Sequence, residues 1–190
     1  MKYKLYMALF ITILFSNLVL ADNVVISEVQ VEGSTADDEF IELYNPTDTA
    51  ISLQDWSLKK KISSGTESNL VSSFPDISIE PYSYILITPQ TGYDGAIAGD
   101  VDYSGASYSI SSDNNTVLLY NNSGVLIDKV GYGIGASDFE GSPISAPPAD
   151  QSIERKSGES PEGIYGNGED SGNNSADFYT QASPNPQNSD

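Results

Sequence analysis

The 190-residue chain contains no cysteine and no histidine. The first absence excludes disulfides and every Cys-ligated zinc, haem or iron–sulfur site. The second removes imidazole metal ligands, Ser-His-Asp triads and histidine acid–base chemistry. Basic residues are scarce as well. Eight lysines and arginines face 27 aspartates and glutamates, for a net charge of −19. Such a surface repels nucleic acid, whose phosphates demand Lys and Arg. Ser-Lys, P-loop and dinucleotide-binding fingerprints are also missing. What is present is a 38% hydrophobic fraction with 12 Tyr, 6 Phe and one Trp. That is too apolar for a disordered chain and enough for one modest core.

The start of the chain reads as a signal peptide rather than part of the fold. Lys2 and Lys4 form a positive n-region, and residues 6–15 form an apolar h-region. Val19 and Ala21 are small enough for the −3 and −1 positions of a cleavage site, with cutting between Ala21 and Asp22. The alternative is a retained membrane anchor, which wants roughly 20 apolar residues; here Ser16-Asn17 interrupts the run. With Lys2 and Lys4 gone, six bases remain against 27 acids, a net charge of −21. The expected location is therefore secreted or cell-surface, with no membrane insertion after cleavage. Export normally permits disulfides and this chain uses none, so stability must come from packing or from bound ions.

The rest of the chain shows strand signals and no convincing helical period. Residues 23–31 are rich in Val and Ile. Residues 39–45 alternate, with Ile41 and Leu43 on one face and Phe40, Glu42 and Tyr44 on the other. Asn45-Pro46 marks a turn: Asn bonds its own backbone and Pro stops the ladder. Gln54-Asp55 suits a tight turn before Trp56. Residues 84–88 form the most strand-prone run, and 89–113 read as a long Gly-, Ser- and Asp-rich loop. Residues 116–120 and 125–130 flank Asn121-Asn122-Ser123-Gly124, a hairpin whose turn needs positive φ. About seven strands at this spacing indicate an all-β, antiparallel β-sandwich or barrel over residues 22–132. Residues 133–190 hold half of the 16 glycines and six of the 10 prolines. They read as an extended C-terminal segment wrapping the sandwich, held near residues 152–155 and 176–179, with a disordered end.

Three stretches together resemble the lamin tail domain family, in its secreted prokaryotic form. They are Val25-Ile26-Ser27-Glu28-Val29, Asp38-Glu39-Phe40-Ile41-Glu42-Leu43-Tyr44-Asn45-Pro46 and Ile51-Ser52-Leu53-Gln54-Asp55-Trp56. The later elements Ser152-Ile153-Glu154-Arg155 and Asp177-Phe178 are similar to the family's C-terminal part, although Asn185 stands where a glycine is usual. The resemblance implies an immunoglobulin-like β-sandwich and a binding or structural module with no general catalytic role. In nuclear lamins the domain binds protein and DNA.

Singled-out residues carry structural roles first. Trp56 fills space between two sheets, with sugar stacking as the functional alternative. Glu42 is a solvent-facing strand residue or a partly buried carboxylate with a fixed partner. Arg155, the only arginine, suits a bidentate salt bridge to a carboxylate such as Glu42 or Asp177 that pins the C-terminal segment. Lys59, Lys60 and Lys61 read as an edge-strand charge device. Three acidic stretches are calcium candidates: Asp37-Asp38-Glu39, Asp100-Val101-Asp102 and the oxygens of residues 169–174. None matches an EF-hand. No cofactor is called for beyond possible calcium. The expected function is a non-catalytic binding module whose loops 59–73 and 89–113, with Tyr93, Tyr103 and Tyr108, meet a protein or cell-surface polymer. A calcium-dependent adhesion or envelope-scaffolding module is the alternative. A carboxylate-based hydrolase is the third reading.

Overall fold

The computed structural model describes residues 20–103, 109–159 and 165–190. The expected signal peptide therefore lies almost wholly outside the described residues, as does Tyr108. Among the described residues, fourteen strands and one helical turn follow one another. They are β1 (Val25–Gln30), β2 (Phe40–Tyr44), β3 (Ile51–Ser52), β4 (Ser57–Ile62), β5 (Glu67–Val71), β6 (Ser78–Ile79) and β7 (Tyr84–Pro89). Then come β8 (Val101–Tyr103), β9 (Asn115–Tyr120), β10 (Leu126–Tyr132), β11 (Ser152–Arg155), β12 (Gly158–Glu159), β13 (Tyr165–Gly166), α1 (Asn174–Asp177) and β14 (Phe178–Gln181).

Two sheets build the sandwich. One has six strands in the order β14-β11-β1-β2-β7-β8, and the other has four in the order β10-β9-β4-β5. The layers bury Ile26, Ile41, Leu43, Trp56, Leu58, Phe74, Ile85, Ile87, Val117, Leu119 and Ile153 in one cluster. The turn before Trp56 is made by Asp55 at φ 63°, a left-handed conformation that Asp tolerates. The β9–β10 hairpin closes through Gly124 at φ 72°, with Asn121 Oδ1 accepting from the N–H groups of Ser123 and Val125.

Three features depart from the sequence reading. The loop 89–113 contains a strand, β8, which pairs with β7 in parallel through Ile87 and Val101. So the sandwich is not purely antiparallel. The C-terminal segment does more than wrap: β11 and β14 extend the larger sheet at its β1 edge. Finally, β4 lies inside its sheet between β9 and β5, so its lysines do not guard an edge. Lys61 pairs with Glu67 at 3.4 Å and Asp138 at 3.0 Å. Lys129 reaches Asp138 at 2.8 Å, and Lys59 sits 4.6 Å from the Tyr120 ring centre. These pairs tie residue 138 of the C-terminal segment onto the smaller sheet. Among the described residues no helix is long and apolar enough to cross a membrane.

Candidate functional site

Strand alternation gives the six-stranded sheet two unlike faces. In β2, Ile41 and Leu43 join the core cluster while Phe40, Glu42 and Tyr44 turn outward. The register then places Tyr179, Glu154, Glu28, Glu42 and Leu86 side by side across β14, β11, β1, β2 and β7. Three glutamates on adjacent strands are thus direct neighbours, and like charges directly opposite repel. An outward face would ordinarily leave them in water. Instead Glu28 and Glu42 are each only 1% exposed, and residues 185 and 187 near the chain's end bond directly onto them.

Each carboxylate has defined donors. Glu28 Oε1 accepts from Ser152 Oγ at 2.5 Å, and Glu42 Oε1 from Ser27 Oγ at 2.5 Å. Glu154 accepts from Asn167 Nδ2, Tyr179 Oη and Gln181 Nε2. Burial pushes the Glu28 carboxyl up to about 7 and Glu42 up to about 8. Their serine donors oppose that shift, and neighbouring glutamate charge adds to it. The end of the chain supplies further donors. Asn185 N–H donates to Glu28 at 3.4 Å, Gln187 N–H to Glu42 at 2.6 Å and Ser189 N–H to Asp100 at 3.1 Å. Residues expected to be disordered are therefore seated on the sheet in this structure.

Hollows flank this strap. A cleft of about 510 Å³ is walled by Phe40, Tyr93, Ile97, Pro184 and Pro186, with Gln30, Asp38 and Asn185 among its polar lining. Phe40 and Tyr93 pack edge to face at 6.2 Å. The Tyr93 hydroxyl is shielded from water without a hydrogen-bond partner, and burial pushes it up to about 12. Beyond Glu154, a second hollow of about 440 Å³ is bordered by Tyr84, Glu154, Asn167 and Tyr179.

The opposite face of β11 carries Arg155, and its partner differs from the one expected. Glu42 cannot reach it, because Glu42 shares the outer face with Glu154, one residue earlier. Asp177 is spent on Ser171 and on the N–H of Asn173, so it holds the turn before α1. Arg155 Nη2 instead donates to Asp128 of β10 at 2.7 Å, with the two side chains 0% and 3% exposed. Its Nε donates to the Ile26 carbonyl and its Nη1 to the Glu169 carbonyl, both at 2.9 Å. The Phe178 ring lies under the guanidinium at 4.6 Å. Burial pushes the Asp128 carboxyl up, while Arg155 and the N–H groups of Ile26 and Lys129 draw it back. One register irregularity falls between Ile26 and Glu28 in β1, and another between Leu126 and Asp128 in β10. Such bulges re-aim side chains and free ladder groups. Here they free the Ile26 N–H for Asp128, at 2.7 Å.

The other singled-out residues have internal duties. Asn45 is fully buried; its Oδ1 accepts from Thr47 N–H and its Nδ2 donates to the carbonyls of Thr49, Ile79 and Glu80. Pro46 follows it out of β2, and the Gly168 backbone lies against its ring. Ala21 N–H donates to the Gly168 carbonyl at 3.0 Å, and Asp22 is exposed. Tyr103 is core rather than surface: its hydroxyl donates to Glu39 at 2.7 Å, and burial pushes Glu39 up to about 7. Each calcium-candidate stretch has carboxylates that accept internal hydrogen bonds. Asp38 accepts from Ser34 and Asp94 N–H, Asp100 from Leu86 N–H, Asp102 from Thr88 Oγ1 and Asp170 from Gly172 N–H. Among the described residues no three acidic side chains converge as a metal site.

The sequence reading missed the glutamate row and the strap. Parity of Glu28, Glu42 and Glu154 was a usable signal, but only register makes them neighbours. The Pro184-Asn185-Pro186-Gln187 alternation was a signal for extended chain.

A search of curated proteins found no match. A family model described as Lamin Tail Domain matches residues 20–133, more than half of the 190 residues, so the chain belongs to the lamin tail domain family, a non-catalytic, immunoglobulin-like binding or structural module.

Proposed function

We propose that the chain is exported, by cleavage between Ala21 and Asp22, and acts at the cell surface or outside the cell as a binding module. Its partner, a protein or cell-surface polymer, lies against the outer face of the six-stranded sheet. The observation that carries this reading is the cleft between Phe40, Tyr93, Ile97 and the Pro184–Pro186 rings. Aromatic and proline walls supply contact area at low entropic cost, and Gln30, Asp38 and Asn185 supply orientation. Among the described residues no lysine or arginine lines the cleft, which disfavours phosphate and other anions. Of the two loops expected to recognise the partner, residues 93–97 border the cleft. Residues 59–71, by contrast, form a hairpin engaged in ion pairs.

The test uses the chain from Asp22 onward with intact cells of its source. Ile97 is 39% exposed, so Ile97→Asp places a charge on the rim without disturbing the core. Ile97→Asp should lower retention about tenfold, the effect of losing roughly 1.4 kcal/mol, with melting unchanged, and Tyr93→Ala should lower it as much while also lowering melting, because it removes the ring packed on Phe40. Equal retention by all three proteins defeats the reading, as does an exported product that does not begin at Asp22.

A further inference from the structure

The strap over the glutamate row is built like a bound peptide. Pro184 and Pro186 have no N–H and hold φ near the extended value. The residues between and after them do the bonding. Asn185, Gln187 and Ser189 present N–H groups at every second position, and these meet Glu28, Glu42 and Asp100 in turn. The prolines meanwhile line the cleft. Period-two reading of an extended segment by fixed acceptors, with pockets for the intervening residues, is the physics of strand-like peptide recognition. Here, however, the acceptors are side-chain carboxylates rather than a sheet edge.

The occupant is incomplete in one respect. Residues 184–190 carry no Lys or Arg and end in Asp190. The ion pairs of the described residues use Lys59, Lys61, Lys129 and Arg155, all on other carboxylates. Lys156 borders the same hollow as Glu154, yet its Nζ donates to the Ala176 carbonyl. Among the described residues, no ion pair to a lysine or arginine joins Glu28 or Glu42, which lie beside each other and covered. A segment with the same backbone pattern and a lysine or arginine would keep the N–H bonds and add charge-assisted ones, which are roughly twice as strong.

We infer that residues 184–190 are a built-in strap occupying a groove whose external ligand is an extended, proline-containing, cationic segment of another protein. This rests on the outer-face reading above and names its partner class: the ligand's own prolines take the places of Pro184 and Pro186 against Phe40, Tyr93 and Ile97, so those two rings are displaced rather than contacted. The strap and the ligand compete, so the apparent affinity is the intrinsic one reduced by the open fraction.

The probe is a fluorescein-labelled Ser-Pro-Lys-Pro-Lys-Asn-Ser amide, compared with its neutral counterpart Ser-Pro-Asn-Pro-Gln-Asn-Ser, read by anisotropy against the full chain. Gln187→Pro removes the N–H that Glu42 receives and loosens the strap; Ser189→Pro does the same at Asp100. The lysine peptide should bind Gln187→Pro about tenfold tighter than the parent, for one lost bond of about 1.4 kcal/mol. It should outbind the neutral peptide by about tenfold, and Glu28→Gln with Glu42→Gln should erase that preference. Glutamine still accepts an N–H, so those variants keep the strap's seat. Equal affinity for the parent and both strap variants overturns the inference. So does a failure of the lysine peptide to bind, or binding no tighter than its neutral counterpart. If the peptide competes as expected while Ile97→Asp leaves native retention intact, the cleft reading falls and the groove stands. The opposite pattern sinks the groove alone.

Discussion

Replacing Arg155 with methionine is the sharpest perturbation of the fold. The side chain is 0% exposed and makes three bonds: 2.7 Å to Asp128, 2.9 Å to the Ile26 carbonyl and 2.9 Å to the Glu169 carbonyl. Methionine fills part of the volume and replaces none of these. Asp128 is then a carboxylate 3% exposed with only backbone donors, and breaking a buried pair from one side costs about 3–5 kcal/mol. Against a typical domain stability of about 5–15 kcal/mol, that is a large fraction. Because Arg155 links β11 to β1 and β10, the loss should appear both in urea unfolding and as new protease sites within residues 133–190. Arg155→Met combined with Asp128→Asn removes the stranded charge while keeping an acceptor for Ile26. It should recover about 2 kcal/mol of the loss, the scale of the unpaired-charge penalty. A single-variant loss below about 1 kcal/mol would refute the reasoning, because it would equal an ordinary exposed pair. So would a double variant no more stable than the single.

Three further outcomes follow from the same geometry. Glu28 and Glu42 are raised to about 7 and 8 when folded, so the native state holds more protons than the unfolded chain between pH 4.5 and 8. Their stabilising contribution is full below about 4.5 and lost by about 8, a slope of about 1.4 kcal/mol per pH unit for each proton. Melting should therefore fall from pH 5 to pH 8.5, and Glu28→Gln with Glu42→Gln should make that fall shallower, leaving the part due to Glu39 and Glu140, which are also raised to about 7; the groups facing the pair (Tyr84, Tyr93, Tyr179 and Glu154) remain in both proteins. Asn45→Ala should cost about 2–3 kcal/mol in urea unfolding, because buried carbonyls of Ile79 and Glu80 lose a donor. Calcium at millimolar concentration should leave the melting temperature unchanged, since among the described residues no three acidic side chains converge; a rise of several degrees, reversed by chelator, would show a site.

Much of the framework was legible in the chain. Residues 39–45 and 84–88 announced β2 and β7 by alternation and branching, and Gly124 announced the hairpin turn. Glu42 was legible as outward-facing, yet its burial was not, since cover comes from residues 185–187, some 145 positions away. The Arg155 partner was hidden for a related reason. Parity separates it from Glu42, but only the bulges at residues 27 and 127 bring Asp128 within 2.7 Å. The strand β8 was obscured by its Gly- and Asp-rich surroundings, where three residues paired in parallel leave no period to read. Local pattern encodes which face a side chain takes; what lies over that face is a long-range fact.

Amide hydrogen exchange at Gln187, resolved by NMR at pH 6, tests the strap and the covered glutamate row together. With its N–H held by Glu42 at 2.6 Å, exchange should be slower than in an unstructured peptide by about a hundredfold, and Glu42→Ala should abolish that protection. Exchange at the unstructured rate in the parent protein would contradict it.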